Sequence, residues 1–287
     1  MKIVFGVVIY NQALRWADEF FESISSQSYN DFDLLIVNDG VEKINLDKFK
    51  IGTGQTIIIN SPESSTISQN RKLLLKAAKE YGYDILVSGD FDDTFSSERV
   101  LSIVDCIDNR QTFYYHNIIC DNLDLFTVLP NEVTSIENIL QYNYLGMSNT
   151  AIDLRKLTYE WIDSLEEVST NVFDWYLFSR LLLDGHCGKN IPGSYTIYRQ
   201  SEINIAGKQN SSTSAIRKEI NVKLKQYSLL KERCEEAKML YDSLQKIKYK
   251  GFSDEELIHE VCGYWWEKIQ VKSSKLINGE DLENVQL

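Results

Sequence analysis

The sequence predicts an α/β protein: a mostly parallel sheet flanked by helices, followed by a C-terminal helical extension. Three observations carry this expectation. Short apolar runs alternate with helix-spaced segments in the order β-α-β-β-α-β-α through residue 110, and that order builds a sheet with helices on both faces. The run Ile85-Leu86-Val87 leads straight into Ser88-Gly89-Asp90-Phe91-Asp92-Asp93, a strand ending in acidic residues at the rim where ligands of open α/β sheets bind. From Ile216 onward the apolar residues step by three or four, the spacing of a helix face.

In order along the chain, Ile3–Tyr10 reads as a buried strand. Polar Asn11-Gln12 follows without a small-residue cleavage site, so a strand is preferred over a signal peptide. Leu14, Ala17, Phe20, Phe21 and Ile24 mark a helix. Leu34–Val37 and Thr56–Ile59 are further strands, Ile67–Ala78 is helical in composition, and Ile85–Val87 is the fourth strand. Val100, Ile103, Val104 and Ile107 mark the next helix. Thr112–Ile119 and Leu123–Leu129 are expected to pair as a hairpin around Asp121-Asn122. Ser135–Tyr142 reads as a short helix, and Phe173–Leu183 as a helix closed by Asp184-Gly185. Tyr195–Tyr198 reads as a late strand. Residues 201–214 are polar, with Gly207 among Ser and Thr, and read as a mobile loop.

The helical region runs through Ile216, Ile220, Leu224, Tyr227, Leu230, Cys234, Ala237, Leu240, Leu244 and Ile247. Its near-heptad period fits a homodimer coiled coil or a long helix packed along its own domain; the second is preferred. Ser253-Asp254-Glu255-Glu256 has the form of a capping box and is expected to open a last helix with Leu257, Val261, Trp265 and Ile269 on its apolar face. Trp265-Trp266 is assigned to packing or a partner surface rather than to a membrane interface, because its flank is acidic.

Composition excludes several classes. The 287 residues carry a net charge of −12 and 43% apolar residues, enough for a substantial core and with no basic stripe for nucleic acid. The cysteines Cys106, Cys120, Cys187, Cys234 and Cys262 form no C-x-x-C pair, which fits a reducing compartment and argues against a zinc site. His116, His186 and His259 are far apart. No apolar stretch is long enough to cross a bilayer, so the expectation is a cytoplasmic chain with at most peripheral association at the inner face of the membrane.

The acidic stretch carries the chemistry. Asp90, Asp92 and Asp93 fall within four residues. Carboxylates so close repel one another, and a hard divalent cation, Mg²⁺ or Mn²⁺, bridging to substrate phosphates would compensate them. A solvated turn explains the same residues less specifically. Asp93 is assigned either to the cluster or to capping a helix that begins near Ser96.

Several segments then coincide with one family. Ser23-Ile24-Ser25-Ser26-Gln27-Ser28-Tyr29-Asn30-Asp31-Phe32-Asp33-Leu34-Leu35-Ile36-Val37-Asn38-Asp39-Gly40 is similar to the opening signature of GT-A-fold, family-two glycosyltransferases. Val8-Ile9-Tyr10-Asn11 resembles the strand-end turn before that signature, Ser68-Gln69-Asn70-Arg71 the family's A-R-N segment, and Asp90–Asp93 its D-x-D. Phe173-Asp174-Trp175-Tyr176-Leu177, Gly185, Tyr198-Arg199-Gln200 and Asn204 resemble the later part of rhamnosyltransferase-like members. The resemblance spans residues 1–207.

The resemblance implies an inverting transfer of a sugar from a UDP- or dTDP-sugar to a glycan or lipid-linked acceptor in surface polysaccharide synthesis. It implies that Tyr10, Asn11, Asp39, Arg71, Asp90 and Arg199 bind the nucleotide-sugar. Asp92, with Asp90, would hold the cation. Asp174 would be the general base, a role worth ~10²–10⁴-fold, although an Asp at a helix start is also an ordinary cap. Gly146, Met147 and Trp175 would form the acceptor wall, and the polar loop would close over the donor. Residues 1–130 would bind the nucleotide-sugar, 131–214 the acceptor, and 215–287 would add helices. The chain departs from the pattern at Asn38, Val41, Lys72 and Ser201, where the family tends to carry Asp, Ser, Asn and His. Those departures keep a second reading in view, a non-catalytic glycan or nucleotide-sugar binding module. A nucleotidyltransferase fits less well, since Tyr10-Asn11-Gln12-Ala13 is not a Gly-rich phosphate loop.

Overall fold

The sheet is assembled on β1 (Ile3–Tyr10), which is buried along nearly its whole length, as a strand covered on both faces must be. The chain's structure is a computed structural model that describes residues 1–43, 46, 49, 51–165, 172–200, 213–250, 257–260 and 263–271. After β1 come α1 (Ala17–Ser25), β2 (Asp33–Asp39), β3 (Thr56–Asn60), α2 (Ile67–Glu80), β4 (Ile85–Asp90), β5 (Thr94–Phe95) and α3 (Arg99–Cys106). Strand β1 lies between β2 and β4 and is parallel to both, with Tyr10 opposite Asp39 and Val8 opposite Asp90. The C-terminal ends of the parallel strands therefore share one rim.

Alternation on β1 sorts the two layers. Ile3, Phe5, Val7 and Ile9 join Phe20, Phe21 and Ile24 of α1 and Val100 and Ile103 of α3 in one cluster. Gly6 faces the other way, where the Leu74 side chain of α2 closes to 3.1 Å of the space a Cβ would take. Helix α2 starts on a capping box formed by Thr66 and Gln69, which satisfies two N–H groups left open by the first turn.

The second half of the sheet is built from β6 (Phe113–Cys120), β7 (Leu123–Asp124), β8 (Glu132–Val133), β9 (Thr150–Asp153) and β10 (Gly188–Ile197), with the short α4 (Tyr159–Asp163) between β9 and β10. The main path runs β3-β2-β1-β4-β9-β6-β10-β5 in a ten-stranded sheet. Most strands on that path run the same way, as expected, with β9 and β5 opposed to them. Strand β9 inserts between β4 and β6, antiparallel to both. The hairpin around Asp121-Asn122 is present, with both residues at positive φ, 51° and 64°. Its second strand is only Leu123–Asp124. Beyond it the Asn117 side chain bonds the Phe126 backbone in both directions, at 2.9 and 3.3 Å, and takes the place of the ladder.

The chain divides into two compact units. The first holds the sheet with α1 to α4. The second comprises Ser135–Tyr144, Thr170–Asp184 and the residues from Gln200 on; its elements are α5 (Phe173–Leu183), α6 (Thr213–Leu230), α7 (Glu235–Lys250), β11 (Leu257–Glu260) and β12 (Lys268–Val271). The expected short helix at Ser135–Tyr142 is a single turn, Ile136–Asn138. The long seam is two helices that pack on each other. They are separated at Cys234, whose Sγ accepts the Ala237 N–H at 3.4 Å. Ile216, Ile220, Leu224, Tyr227, Leu230, Ala237, Leu240, Leu244 and Ile247 are all buried, so this stripe is covered without a second chain.

The expected last helix is instead an antiparallel pair, with Leu257 opposite Val271 and His259 opposite Ile269. Gly263 and Trp266 between them have φ of 77° and 57°, values a helix does not admit. Spacing by fours had matched Leu257, Val261, Trp265 and Ile269, but β-branched Ile258, Ile269 and Val271 favour extended pairing. Residues 251–256 and 261–262, including Val261 and the capping-box segment, lie outside the described residues. Among those described, no helix is long and apolar enough to cross a membrane.

Gly89 is the tightest point near the rim. A Cβ there would sit 2.6 Å from Phe95 and 3.0 Å from Phe5. We expect Gly89→Ala to lower stability by about 1–3 kcal/mol in denaturant unfolding; an unchanged midpoint would show that these rings have room to move.

Candidate active site

The rim is built by strand ends. Tyr10 ends β1, Asp39 ends β2 and Asp90 ends β4. Gly40 turns the chain at φ 76°, and Asn11 Nδ2 donates to its carbonyl at 2.9 Å, tying the two loops together. Asn38 closes the same turn from within. Its amide donates to the Val41 carbonyl at 3.0 Å and accepts the Val41 N–H at 2.9 Å. Val41 itself is buried in the core. These two departures from the family pattern therefore build the turn that presents Asp39.

The three aspartates have three different environments. Asp90 is half-buried and paired with the Arg71 guanidinium of α2 at 2.9 Å. Asp92 is only 8% exposed and accepts the Tyr10 hydroxyl; the Tyr10 ring stands edge-on to Phe91. Asp93 is 1% exposed and accepts the Ser148 hydroxyl and the Arg199 backbone N–H. It does not cap α3, whose N-cap is Glu98 without a side-chain bond. The Arg199 side chain bonds the Asp92 carbonyl at 3.0 Å, pairs with Glu19 of α1 and lies 5.2 Å from the centre of the Trp16 ring.

Burial and crowding govern the charges. Desolvation first, then the Asp90 charge, push the Asp92 carboxyl up to about 6, against the pull of its backbone bond, Arg71 and Tyr10. Burial, then Asp92 and Asp90, hold Asp93 well above the usual carboxylate range. Burial and the two acids also raise the Tyr10 phenol, which stays neutral. Beneath the cluster Arg99 is wholly buried. Its Nη2 donates to the Ser88 carbonyl at 2.5 Å and the Thr150 carbonyl at 3.3 Å, while Nε and Nη1 lack hydrogen-bond partners. Burial pushes its guanidinium down to about 9, which leaves it charged at neutral pH. Sequence periodicity offered no signal for Arg99, an arginine in the first turn of α3.

Among the described residues no group of three or more His, Cys, Asp and Glu side chains would hold a metal by itself. The donors that are present fit a cation shared with a ligand. Asp92 is an oxygen donor whose negative charge is poorly compensated, and Asp90 lies beside it. Mg²⁺-type sites commonly take one or two carboxylates and complete their shell with substrate phosphates and water.

The other expected site residues have partners of their own. Gly146 and Met147 are buried, Met147 to 2%. They belong to the turn before β9, where the Met147 carbonyl accepts the Ser88 hydroxyl at 2.7 Å. Trp175 is 0% exposed and donates its indole N–H to the Ile139 carbonyl at 2.6 Å inside the second unit. Asp174 stands in the first turn of α5, half-buried, and accepts the Trp175 N–H at 2.9 Å; the N-cap position itself is Val172. Lys72 is spent on the carbonyls of Asp163 and Leu165 at 3.1 and 2.6 Å, and Lys76 on the Asp163 carboxylate. The cleft of about 340 Å³ beside them thus has no uncommitted lysine for phosphate. Ser201 and Asn204 lie outside the described residues. Glu19 and Trp16 join the site unannounced by any motif.

The Asp92 environment makes a stability prediction for the chain freed of metal with a chelator. The carboxyl is raised in the folded state above its ordinary 3.8, so the folded chain binds the extra proton. Its stabilising contribution is complete below about pH 4 and is lost as pH rises through about 6. Asp92→Asn should therefore stabilise the chain at pH 8, by at most about 3 kcal/mol, and the gain should vanish near pH 4. A pH-independent difference in melting temperature would contradict this electrostatic account.

The family described as Glycosyl transferase family 2 matches residues 5–156. TarS residues 1–349 from S. aureus, solved with UDP-GlcNAc, superposes with a TM-score of 0.55 at 15% identity over 78% of this chain and 66% of that one. The mannosyltransferase PcManGT from Pyrobaculum calidifontis, solved with GDP-Man and Mn²⁺, gives 0.53 at 10% identity over 80% of this chain and 64% of that one. At such identities the likeness is one of fold, and it meets the GT-A expectation. The chain spans just under two thirds of the length of these solved chains. No curated protein matches the sequence. The family match covers more than half of the sequence and takes in the β1 rim, the Asp39 turn, the acidic turn and β9: the chain belongs to glycosyl transferase family 2.

Proposed function

We propose that this chain is an inverting, metal-dependent glycosyltransferase. It would move a sugar from a UDP- or dTDP-sugar to a glycan or lipid-linked acceptor, as in surface polysaccharide synthesis on the cytoplasmic side of a membrane. The observation that carries the reading is the environment of Asp92, a buried carboxylate raised to about 6 at the rim where three parallel strands end, beside Asp90, Tyr10 and Arg71. Burial of a poorly compensated charge costs stability. Its retention at a ligand-binding rim points to a functional role.

The residues divide the chemistry. Asp39 and Tyr10 stand where a nucleobase and ribose would enter, and Asn11 fixes the turn that presents Asp39. The Arg71 guanidinium holds Asp90 in place and offers donors to phosphate. Asp92 and Asp90 would hold Mg²⁺ or Mn²⁺, and a cation there supplies charge stabilisation for the departing diphosphate. In an inverting step the acceptor oxygen bonds the anomeric carbon as the bond from that carbon to the diphosphate breaks. The electron pair leaves on phosphate, and the acceptor proton passes to a carboxylate. Asp174 is the proposed recipient. The reading as a mere binding module leans on Asn38, Val41, Lys72 and Ser201; Asn38 and Val41 are accounted for by the Asp39 turn they close, Lys72 by its bonds to the Asp163 and Leu165 carbonyls, and Ser201 lies outside the described residues.

Isothermal titration of UDP and dTDP tests the donor side. One of the two should bind in the presence of Mn²⁺ and much more weakly without it, and Asp92→Ala should lose most of that binding. Metal-independent binding untouched by this change would remove the catalytic-metal idea. For the acceptor side, Asp174→Asn should keep nucleotide binding and depress transfer about a hundredfold or more. Turnover equal to wild type would reassign Asp174 to its place in the first turn of α5.

A further inference from the structure

Asp93 has no part in the roles above, yet it is the most enclosed of the three aspartates and stands where three segments meet. Its Oδ2 accepts the hydroxyl of Ser148, from the turn before β9. Its Oδ1 accepts the backbone N–H of Arg199, just past the end of β10, at 3.0 Å. Arg199 is tied to the same acidic turn a second time, by Nε to the Asp92 carbonyl.

The support behind Asp93 is directional. The Thr196 hydroxyl donates to the Ser148 carbonyl at 2.7 Å. Its proton is thereby used, so His116 Nε2, 2.9 Å from Thr196 Oγ1, is the donor in that pair. His116 is wholly buried, and burial together with the Arg99 charge holds its imidazole well below the usual range, which keeps the ring neutral. Arg99 in turn carries the Ser88 and Thr150 carbonyls on either side of Ser148's turn. The acidic turn, the Ser148 turn and the end of β10 are thus registered on one carboxylate. With both oxygens engaged by protein donors and 1% of the residue exposed, Asp93 has no face to offer a ligand.

We propose that Asp93 is a positioning residue for sugar transfer: it pegs Arg199 and Ser148 in register with Asp90 and Asp92 and is not a ligand of the cation. This rests on the functional reading given above. The consequence of losing the peg is felt at Arg199, whose guanidinium lies between the Asp92 carbonyl, Glu19 and the Trp16 ring. A shift of about 1 Å in a group that orients a reacting centre is able to cost about a hundredfold in rate.

The test compares Asp93→Ala and Asp93→Asn with wild type in three measurements. The first is amide hydrogen exchange at Arg199 in the ligand-free chain. The second is Mn²⁺-dependent binding of whichever of UDP, dTDP and GDP the wild type binds. The third is release of that nucleotide from its sugar conjugates. We expect Asp93→Ala to speed exchange at Arg199 and to lower nucleotide release about tenfold or more, while Mn²⁺-dependent affinity stays within about threefold. Asp93→Asn, which keeps an acceptor for the Arg199 N–H, should recover part of both losses. Loss of Mn²⁺-dependent binding as deep as in Asp92→Ala would overturn the inference in favour of a metal ligand. A lower melting temperature with unchanged release per folded molecule and unchanged Arg199 exchange would reduce Asp93 to a stability role. Should wild type bind no nucleotide and release none, the functional reading fails by itself. The exchange arm still decides the peg: unchanged exchange at Arg199 would disprove it.

Discussion

The site depends on one constraint: three carboxylates are forced together at the end of the strand that runs through the middle of the sheet. The end of β4 is closely held: a Cβ at Gly89 would meet Phe5 and Phe95, and the Ser88 hydroxyl donates to the Met147 carbonyl. The acids are therefore not free to spread into solvent, and the fold separates them by environment. Asp90 receives a guanidinium, Asp93 is sealed by neutral donors, and Asp92 keeps a phenol and a large part of its desolvation cost. The same acidic turn that carries this cost is the one best suited to attract a cation and a diphosphate.

The surroundings then read as responses to that crowding. Arg99 supplies a buried positive charge directly below the turn, against the rings of Phe5 and Phe95 at 5.4 and 4.4 Å. Its geometry is not that of a salt bridge; it bonds carbonyls and acts on the aspartates through space. Arg199 approaches from above and is itself restrained by Glu19. Positive charge is thus placed near the acids without being spent on Asp92, which is the arrangement that preserves an oxygen donor for chemistry.

Much of this was legible in the sequence where short-range rules decide the outcome. Strand β1 and helix α5 begin and end where the apolar runs do, and the Asp121-Asn122 turn takes the left-handed conformation that those residue types tolerate. The Asp39 and acidic turns were legible because consecutive parallel strands must leave their polar ends on one rim. Long-range choices were not. Insertion of an antiparallel β9 between β4 and β6 pairs segments distant in sequence. The pattern at Leu257, Trp265 and Ile269 fits a period of four, yet pairing across a left-handed Trp266 won. Gly146, Met147 and Trp175 were assigned to an acceptor wall by resemblance, and their burial had no local signal in the sequence. The peg at Asp93 joins residues up to 106 positions apart, beyond the reach of any local signal.

The central claim is that the acidic turn at the end of β4 grips a cation that in turn carries the diphosphate of a sugar donor. A crystal of the full chain grown with Mn²⁺ and a nucleotide, examined by anomalous scattering at the manganese edge, tests it most directly. The account predicts one strong peak bonded to an Asp92 oxygen and to phosphate, with the base against Tyr10 and Asp39. Nucleotide bound away from this rim, or bound here with no manganese beside Asp92, would contradict it.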